Sequence, residues 1–288
     1  MTAELIDGKA VAAQMKADIE QEIAELKEKH NSSPCLMAVQ VGENAASASY
    51  TRSQKKGCEK VGINYQLEEL PADITEQDLV KFVEEKGQDK QITGIILQMP
   101  LPEHIRAEKI QAAIASAKDI EGIKLQNLGA LLSESATLAP CTAAAVMELI
   151  RSTGVPFKGK EVVIVGHSSI VGKPLALLLL ASPLESATTT VCHIATKDLS
   201  SHTLRAEILI VAAGKPDLVT GDMVKEGAIV IDVGINRIDG KLVGDVSFDQ
   251  AKEKASLITP VPGGVGPVTT AMLLKNALNA WKLQLSDA

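Results

Sequence analysis

The sequence contains few aromatic residues and no long apolar run. Phe, Trp and Tyr make up 2% of the 288 residues, whereas hydrophobic residues together make up 45%. Aliphatic side chains must therefore fill the core, which suits helices packed on parallel strands and disfavours a β-sandwich or an aromatic platform for nucleic acid. The apolar stretch at residues 175–181 is far shorter than the roughly 20 residues that span a bilayer. No membrane segment is predicted.

Basic charge and clustered metal-ligand residues are also scarce. The formal net charge of -7 argues against binding to a phosphate backbone. The four cysteines lie far apart without a C-x-x-C pair or clustered histidines, which argues against a disulfide framework and against a metal site. The first eight residues lack the order of a signal peptide. We therefore expect a soluble cytoplasmic protein with reduced thiols.

Strand-like and helix-like apolar patterns alternate along the chain. This order predicts an α/β fold with parallel sheets, and the length suits two domains. Thr142 is predicted to cap a helix over residues 142–153, after a loop-rich region that begins at Lys118. The predicted strands are 36–41, 64–70, 94–98, 159–166, 189–192, 208–212 and 228–233, and the other predicted helices are 8–29, 46–61, 75–85, 107–115, 171–180 and 269–283.

A glycine- and serine-rich loop lies between a predicted strand and a predicted helix. It reads Gly-His-Ser-Ser-Ile-Val-Gly from Gly166 to Gly172. Gly166 and Ser168 occupy the small positions that let a backbone approach a dinucleotide pyrophosphate at a helix N-terminus, whereas Val171 replaces the last glycine of the standard motif. The flanking elements, with Pro174 in the first helical turn, favour a cofactor loop over an ordinary turn. No clear acidic ribose ligand follows, so both NAD and NADP stay open.

Several segments, in order and over nearly the whole chain, resemble the methylenetetrahydrofolate dehydrogenase/cyclohydrolase family. They include Ala-Ser-Ala-Ser-Tyr at 46–50, Gly-Ile-Ile-Leu-Gln-Met-Pro-Leu-Pro at 94–102, Lys-Asp-Ile-Glu-Gly at 118–122, Val-Gly-Ile-Asn at 233–236 and Thr-Pro-Val-Pro-Gly-Gly-Val-Gly-Pro at 259–267. The resemblance implies a folate-binding catalytic domain over residues 1–139, a Rossmann-like NAD(P)-binding domain over 140–267 and a last helix, within 268–288, packed back on the first domain. It also implies a tetrahydrofolate derivative as ligand and a homodimer.

The resemblance assigns the catalytic positions Tyr50, Gln54, Gln98 and Glu121. Tyr50 corresponds to a residue that stacks on the folate, and Gln98 to one that contacts the catalytic lysine and the reacting end of the ligand. Gln54 stands at the position of that lysine. Glu121 stands where the family has an aspartate that holds the pterin, and it keeps the carboxylate with one more methylene. Lys55 points elsewhere on the helix, because each added residue rotates a side chain by about 100°.

The two reactions of the family place different demands on these residues. Hydride transfer needs alignment and tolerance of a developing cation, which Tyr50, Gln98 and Glu121 could supply. Hydrolysis of the methenyl product needs a proton-transfer group, and Gln54 cannot titrate. We therefore expect dehydrogenase activity with weak or absent cyclohydrolase activity. The alternatives are a bifunctional enzyme that uses Lys56 or a rearranged water, and a non-catalytic paralogue that binds folate or dinucleotide.

The resemblance also assigns the cofactor-binding residues Gly166, His167, Ser168, Ile194 and Ile235. Ile194 offers no ligand for a 2′-phosphate, which favours NAD, although a protonated His167 could compensate. Further substrate contacts are expected from Pro262 and Gly263, in a segment whose glycines allow a close backbone approach to a ligand.

Overall fold

The computed structural model describes residues 2–42, 45–181 and 186–286, and within the second range it describes side chains from Thr51 onward. The chain divides into two compact units. The large-sheet unit contains Met1–Ala13, Leu131–Ser135 and Pro140–Met272, and the small-sheet unit contains Gln14–Ala130, Ala136–Ala139 and Leu273–Ala288. The functional domain boundaries at residues 139 and 267 stay predictions.

The described elements follow one another as an α/β chain. The strands are β1 (Glu4–Leu5), β2 (Cys35–Val41), β3 (Asn64–Leu70), β4 (Gly94–Leu97), β5 (Glu161–Val165), β6 (Thr188–Cys192), β7 (Ile208–Val211), β8 (Ile229–Asp232), β9 (Asn236–Ile238), β10 (Lys241–Val243) and β11 (Leu257–Ile258). The α-helices are α1 (Gly8–His30), α2 (Ala45–Lys60), α3 (Glu76–Gln88), α4 (Ala107–Ala113), α5 (Leu125–Leu132), α6 (Cys141–Ser152), α7 (Gly172–Leu180), α8 (Leu199–Thr203), α9 (Phe248–Lys252) and α10 (Val265–Ser286).

The small-sheet unit is built on a parallel sheet in the order β3-β2-β4. The central strand β2 is an apolar run, and its side chains from Leu36 to Val41 are buried, as are those of β4. Leu79 and Val83 of α3 pack in the same core because they recur at helical spacing. The predicted parallel pairing is confirmed. The carboxyl ends of β2 and β4 therefore meet at one edge of the sheet.

The large-sheet unit contains a parallel sheet in the order β1-β11-β8-β7-β5-β6. Every residue of β7 and β8 is buried, which explains why β7 is apolar throughout and β8 is apolar up to its last residue, Asp232. The strands β9 and β10 form a separate antiparallel hairpin. The predicted α/β class, with a parallel sheet in each of two units, is confirmed.

Three local predictions need correction. The helix predicted over 142–153 begins at Cys141, with Pro140 at the N-cap position and no side-chain capping bond, so Thr142 is not the cap. The region expected to be loop-rich contains α5. The last helix begins at Val265 rather than at 269, because Pro267 lies in its first turn, where a missing N–H costs little. Among the described residues, no helix is both long enough and apolar enough to cross a membrane.

Candidate active site

The glycine-rich loop between β5 and α7 has the close backbone packing of a dinucleotide loop. Gly166 has a φ of +127°, and a Cβ there would lie 2.2 Å from the carbonyl oxygen of Ala212. A Cβ on Gly172 would lie 2.0 Å from the carbonyl oxygen of Gly166. Ser168 accepts a hydrogen bond at its Oγ from the N–H of Val171 (3.1 Å). Gly172 thus provides the close approach, although it comes one residue later than the standard motif expects.

A cleft of about 500 Å³ opens beside this loop. Its lining includes Gly166, His167, Ser168 and Ile194, four of the five predicted cofactor residues, together with Lys215 on the loop after β7. Ile194 is 99% exposed, so its side chain is available to a ligand and not to the core. The described lining residues include no Asp or Glu. Among the described lining residues, the groups that can bear charge are therefore His167, His193 and Lys215, which suit an anionic group better than a cationic one.

A second, smaller pocket of about 270 Å³ lies in the same unit. It brings together Ile235 and the predicted substrate residues Pro262 and Gly263. Lys9, from the first turn of α1, also lines this pocket. Lys9 could not be predicted from the sequence, because it lies in an ordinary amphipathic pattern far from the other site residues in the sequence. The pocket places a cationic side chain beside these residues.

Two buried carboxylates hold the loops around both pockets. Asp245 is fully buried, and its Oδ2 accepts hydrogen bonds from the N–H groups of Ala213 (2.6 Å) and Gly214 (2.8 Å). Its Oδ1 accepts a further bond from Nδ2 of Asn236 (2.8 Å). Asp232 accepts bonds from the N–H groups of Asp245 and Gly234 (both 2.9 Å). The loop after β7 and the loop after β8 are thus joined through one carboxylate.

Burial of Asp232 raises its pKa to about 6, because the charged form loses its hydration. The hydrogen bonds from three backbone N–H groups act in the opposite direction, and the Asp245 carboxylate adds to the rise. The sequence offered no signal for these two residues beyond a glycine close to each, Gly234 two residues after Asp232 and Gly244 before Asp245.

In the small-sheet unit, the structure brings Gln54 and Gln98 into contact. Gln98 follows the carboxyl end of β4, and Gln54 lies on α2; both side chains are buried. Nε2 of Gln98 donates to Oε1 of Gln54 (2.8 Å). The hydroxyl group of Tyr65, on β3, donates to the same oxygen (3.3 Å). Tyr65 could not be predicted as a site residue, because a strand pattern does not show which residue will face a helix packed on the sheet.

The other residues of interest on α2 differ in their exposure to solvent. The side chain of Tyr50 lies outside the described residues, although its backbone is helical. Lys55 and Lys56 are both exposed, and Nζ of Lys55 lies 3.9 Å from Oε1 of Glu59. Gln54 is buried on the opposite side of the helix, as the helical rotation predicts.

Glu121 lies on a loop whose shape is fixed by hydrogen bonds. The Asp119 carboxylate accepts hydrogen bonds from the N–H of Lys124 (2.7 Å) and from Nδ2 of Asn127 (2.9 Å). Nδ2 of Asn276, on α10, donates to the carbonyl oxygen of Ile120 (2.8 Å). Burial, with a smaller contribution from the Asp119 carboxylate, raises the pKa of Glu121 to about 7. A carboxyl group with this pKa exchanges a proton near neutral pH.

The described residues contain no group of three or more His, Cys, Asp or Glu side chains that could hold a metal ion.

Comparison with known protein families gives two matches. Residues 6–121 match the tetrahydrofolate dehydrogenase/cyclohydrolase catalytic domain, and residues 140–285 match the NAD(P)-binding domain of the same name. A relative from Bacillus pumilus (strain SAFR-032), named bifunctional protein FolD, is 47% identical over 287 residues, which cover 99% of this chain and all of the relative.

Two solved structures are similar over their full length. The bifunctional enzyme FolD, methylenetetrahydrofolate dehydrogenase/cyclohydrolase, from Campylobacter jejuni has a TM-score of 0.92 and 44% identity, with 98% of this chain and 99% of that chain covered. The methylenetetrahydrofolate dehydrogenase-cyclohydrolase of Trypanosoma brucei, solved with NADP and an inhibitor, has a TM-score of 0.90 and 39% identity, with 99% of both chains covered.

Proposed function

This chain belongs to the tetrahydrofolate dehydrogenase/cyclohydrolase family, and we propose that it oxidises 5,10-methylenetetrahydrofolate with NADP. A hydride leaves the methylene bridge, the folate becomes the 5,10-methenyl cation, and the nicotinamide ring supplies the hydride acceptor. The observation that carries this proposal is the match of both domains to one family, together with a formed dinucleotide loop at Gly166.

The side chains of the small-sheet unit suit a substrate that becomes a cation. Gln54 and Gln98 are neutral amides in mutual contact, and they provide hydrogen bonds without a fixed positive charge. Glu121, when ionised, can accept two hydrogen bonds from the amino-pyrimidinone edge of a pterin, and its negative charge lowers the energy of the developing cation. Tyr50 is proposed to stack on the folate, and Pro262 and Gly263 to form substrate contacts.

NADP is the proposed cofactor because of the side chains that line the larger cleft. His167, His193 and Lys215 can donate hydrogen bonds to a 2′-phosphate, and no carboxylate among the described lining residues stands where NAD enzymes bind the ribose hydroxyls. This proposal departs from the preference for NAD that Ile194 suggested, since the basic groups come from three separate loops. Ser168, Ile194 and Ile235 are proposed to complete the cofactor contacts.

The hydrolysis step has two candidate outcomes, each favoured by a separate observation. The names of the Bacillus and Campylobacter proteins describe them as bifunctional, which supports retained cyclohydrolase activity more strongly than the expectation of a weak one. Gln54 favours weak hydrolysis, because an amide cannot transfer a proton at neutral pH. Lys56 is exposed, and its position gives no reason to assign it the role of a replacement.

Two assays on the purified protein test the proposal. Formation of NADPH or NADH from 5,10-methylenetetrahydrofolate measures the dehydrogenase reaction and the cofactor preference together. Loss of 5,10-methenyltetrahydrofolate, compared with the uncatalysed rate, measures hydrolysis. Binding of folate and dinucleotide without turnover would support a non-catalytic paralogue instead.

We further propose that the protein acts in the cytoplasm as a homodimer, as the family resemblance implies. Light scattering on the eluate of a sizing column gives the molar mass in solution. A mass near twice 30.4 kDa is expected, and a mass near 30.4 kDa would contradict the dimer.

A further inference from the structure

The side-chain amide of Gln54 is hydrogen-bonded on one side only. The side chain is 4% exposed, and its Oε1 accepts hydrogen bonds from Nε2 of Gln98 (2.8 Å) and from the hydroxyl of Tyr65 (3.3 Å). Its Nε2 is buried as well, but among the described residues it has no hydrogen-bond acceptor. A glutamine amide nitrogen carries two N–H donors. The described part of the chain therefore offers no acceptor to either donor, although the side chain is buried.

An unused buried donor is unusual, because it has lost its hydration without gaining an acceptor. The two bonds to Oε1 also fix the direction in which the amide faces. Rotation of the amide by half a turn would bring the NH₂ groups of Gln54 and Gln98 together and remove that hydrogen bond. The arrangement thus keeps the Gln54 nitrogen ready for an acceptor that the described part of the chain does not provide.

We infer that Gln54 donates a hydrogen bond from Nε2 to a carbonyl oxygen of the bound folate, and that Tyr65 is a positioning residue that holds the amide in this orientation. The inference rests on the proposed function, since it takes folate as the ligand. A neutral donor suits a ligand that becomes a cation, because an ammonium group at this position would repel the developing charge. The replacement at position 54 is then a change from proton transfer to substrate orientation.

The variant Gln54→Glu tests the donor function of the Gln54 amide separately from its acceptor function. The carboxyl group keeps an oxygen that can accept from Gln98 and Tyr65, but its ionised form has no donor. When the group is protonated, its second oxygen regains an O–H donor. At alkaline pH we therefore expect KM for methylenetetrahydrofolate to rise at least about tenfold, with KM for NADP unchanged, since a charged acceptor facing a carbonyl oxygen loses a hydrogen bond and adds repulsion.

The pH dependence of the same variant gives a readout that a purely structural role would not change. The ratio of kcat/KM in the variant to kcat/KM in the wild type should increase as the pH falls, because protonation restores the donor. The other ionisable side chains around the site, Tyr65, Asp119 and Glu121, are the same in both proteins, so the ratio removes their contributions. A ratio that does not change with pH would overturn the inference.

The positioning role of Tyr65 is tested with Tyr65→Phe, which removes the hydroxyl and keeps the ring. A rise in KM for methylenetetrahydrofolate of about 2- to 10-fold is expected, with little change in kcat, because one of the two bonds that orient the amide is lost. Gln284→Glu is the matched control. Nε2 of Gln284 donates to the carbonyl oxygen of Thr93 (3.0 Å), just before the amino end of β4, away from the site. Its kcat/KM ratio to wild type should not increase at low pH.

The affinity of each folded variant for tetrahydrofolate, measured by calorimetry, tests the inference independently of catalysis. If the wild type binds tetrahydrofolate but does not reduce NADP, the proposed function is wrong. The inference is then supported if Gln54→Glu binds tetrahydrofolate more weakly than the wild type at alkaline pH, and contradicted if it binds equally well. If the wild type does not bind tetrahydrofolate, both are wrong. Gln54→Met has similar size and no donor; it replaces Gln54→Glu if that variant does not fold, and unchanged binding by it would contradict the inference.

Discussion

The imidazole rings of His167 and His193 are stacked, with their centroids 4.9 Å apart. They come from the glycine-rich loop and from the loop after β6, and both line the larger cleft. The backbone N–H of Ala195 donates to Nδ1 of His193 (3.1 Å), which fixes that ring. Because Lys215 lines the same cleft, three side chains that can bear positive charge lie in the cleft in which we propose that an adenosine 2′-phosphate binds.

The first prediction concerns cofactor preference. NADP should have a lower KM than NAD, and Lys215→Gln and His167→Gln should each raise KM for NADP about 2- to 5-fold, the range expected for exposed charge pairs. KM for NAD should change little, because NAD lacks the phosphate. Initial rates at varied cofactor concentration measure both constants.

Lys241→Gln, on the hairpin strand β10, is the control for a lost surface charge. It should leave both KM values unchanged. Equal loss of NAD and NADP binding in the Lys215 variant would mean that Lys215 contacts the part that the two cofactors share.

The second prediction concerns pH. The pKa of Glu121 is raised to about 7 by burial, so kcat/KM for the folate should fall as the pH decreases through 7, when the carboxylate takes up a proton and loses one of its two acceptor oxygens. Glu121→Gln should lose this acidic limb and show a lower, flat profile over the same range. An unchanged acidic limb in the variant would assign the titration to another group.

The raised pKa of Glu121 also affects stability. Activity should increase as Glu121 loses its proton, but the stability of the folded protein should decrease. The folded protein holds this proton more tightly than the unfolded chain, whose carboxyl has the ordinary value of 4.5. The free energy of unfolding should therefore decrease as the pH rises from about 4.5 to 7, and Glu121→Gln should reduce that decrease. Urea unfolding at several pH values measures it.

The third prediction concerns position 54. Gln54→Lys should raise the rate of methenyltetrahydrofolate hydrolysis, since the lysine supplies a titratable group where an amide stands, and such groups contribute about 10²- to 10⁴-fold. Lys56→Gln, two residues further along α2 at an exposed position, should leave hydrolysis unchanged. A loss of hydrolysis in Lys56→Gln would instead show that Lys56 has taken over the role.

The fourth prediction concerns the buried carboxylate that joins the cofactor loops. Asp245→Ala should lower the free energy of unfolding by at least about 3 kcal/mol, because the N–H groups of Ala213 and Gly214 and the amide of Asn236 each lose an acceptor. Asp249→Ala, at an exposed position of α9, should change it by less than about 0.5 kcal/mol. A loss below about 1 kcal/mol for Asp245→Ala would show that these groups find other partners.

Much of the fold could be predicted because buried strands appear in the sequence as short runs of apolar residues. The run Ile208–Val211 is apolar at every position because both faces of β7 are covered, and β3 was predicted with its observed bounds. The short strands β1 and β11 and the hairpin β9–β10 are too brief to show a period of two residues. The helix α5 was missed because it is only eight residues long and follows a turn-rich segment.

The site was predicted less completely, for a physical reason. Gln54 and Gln98 were identified by motif, and the structure places them in contact. Tyr65 contacts Gln54, whereas Lys9 and Lys215 line the two pockets of the large-sheet unit. None of the three lies in a motif, so only the packing of the chain reveals them. Burial, which decides the pKa of Glu121, is likewise a property of the folded chain.

The most direct test of the account is the production of NADPH by the wild-type protein when it is given 5,10-methylenetetrahydrofolate and NADP. The account predicts NADPH formation that depends on both substrates, saturates with each, and decreases in Gln54→Glu at alkaline pH. Absence of NADPH and of NADH, with a protein that is folded and binds both ligands, would contradict it.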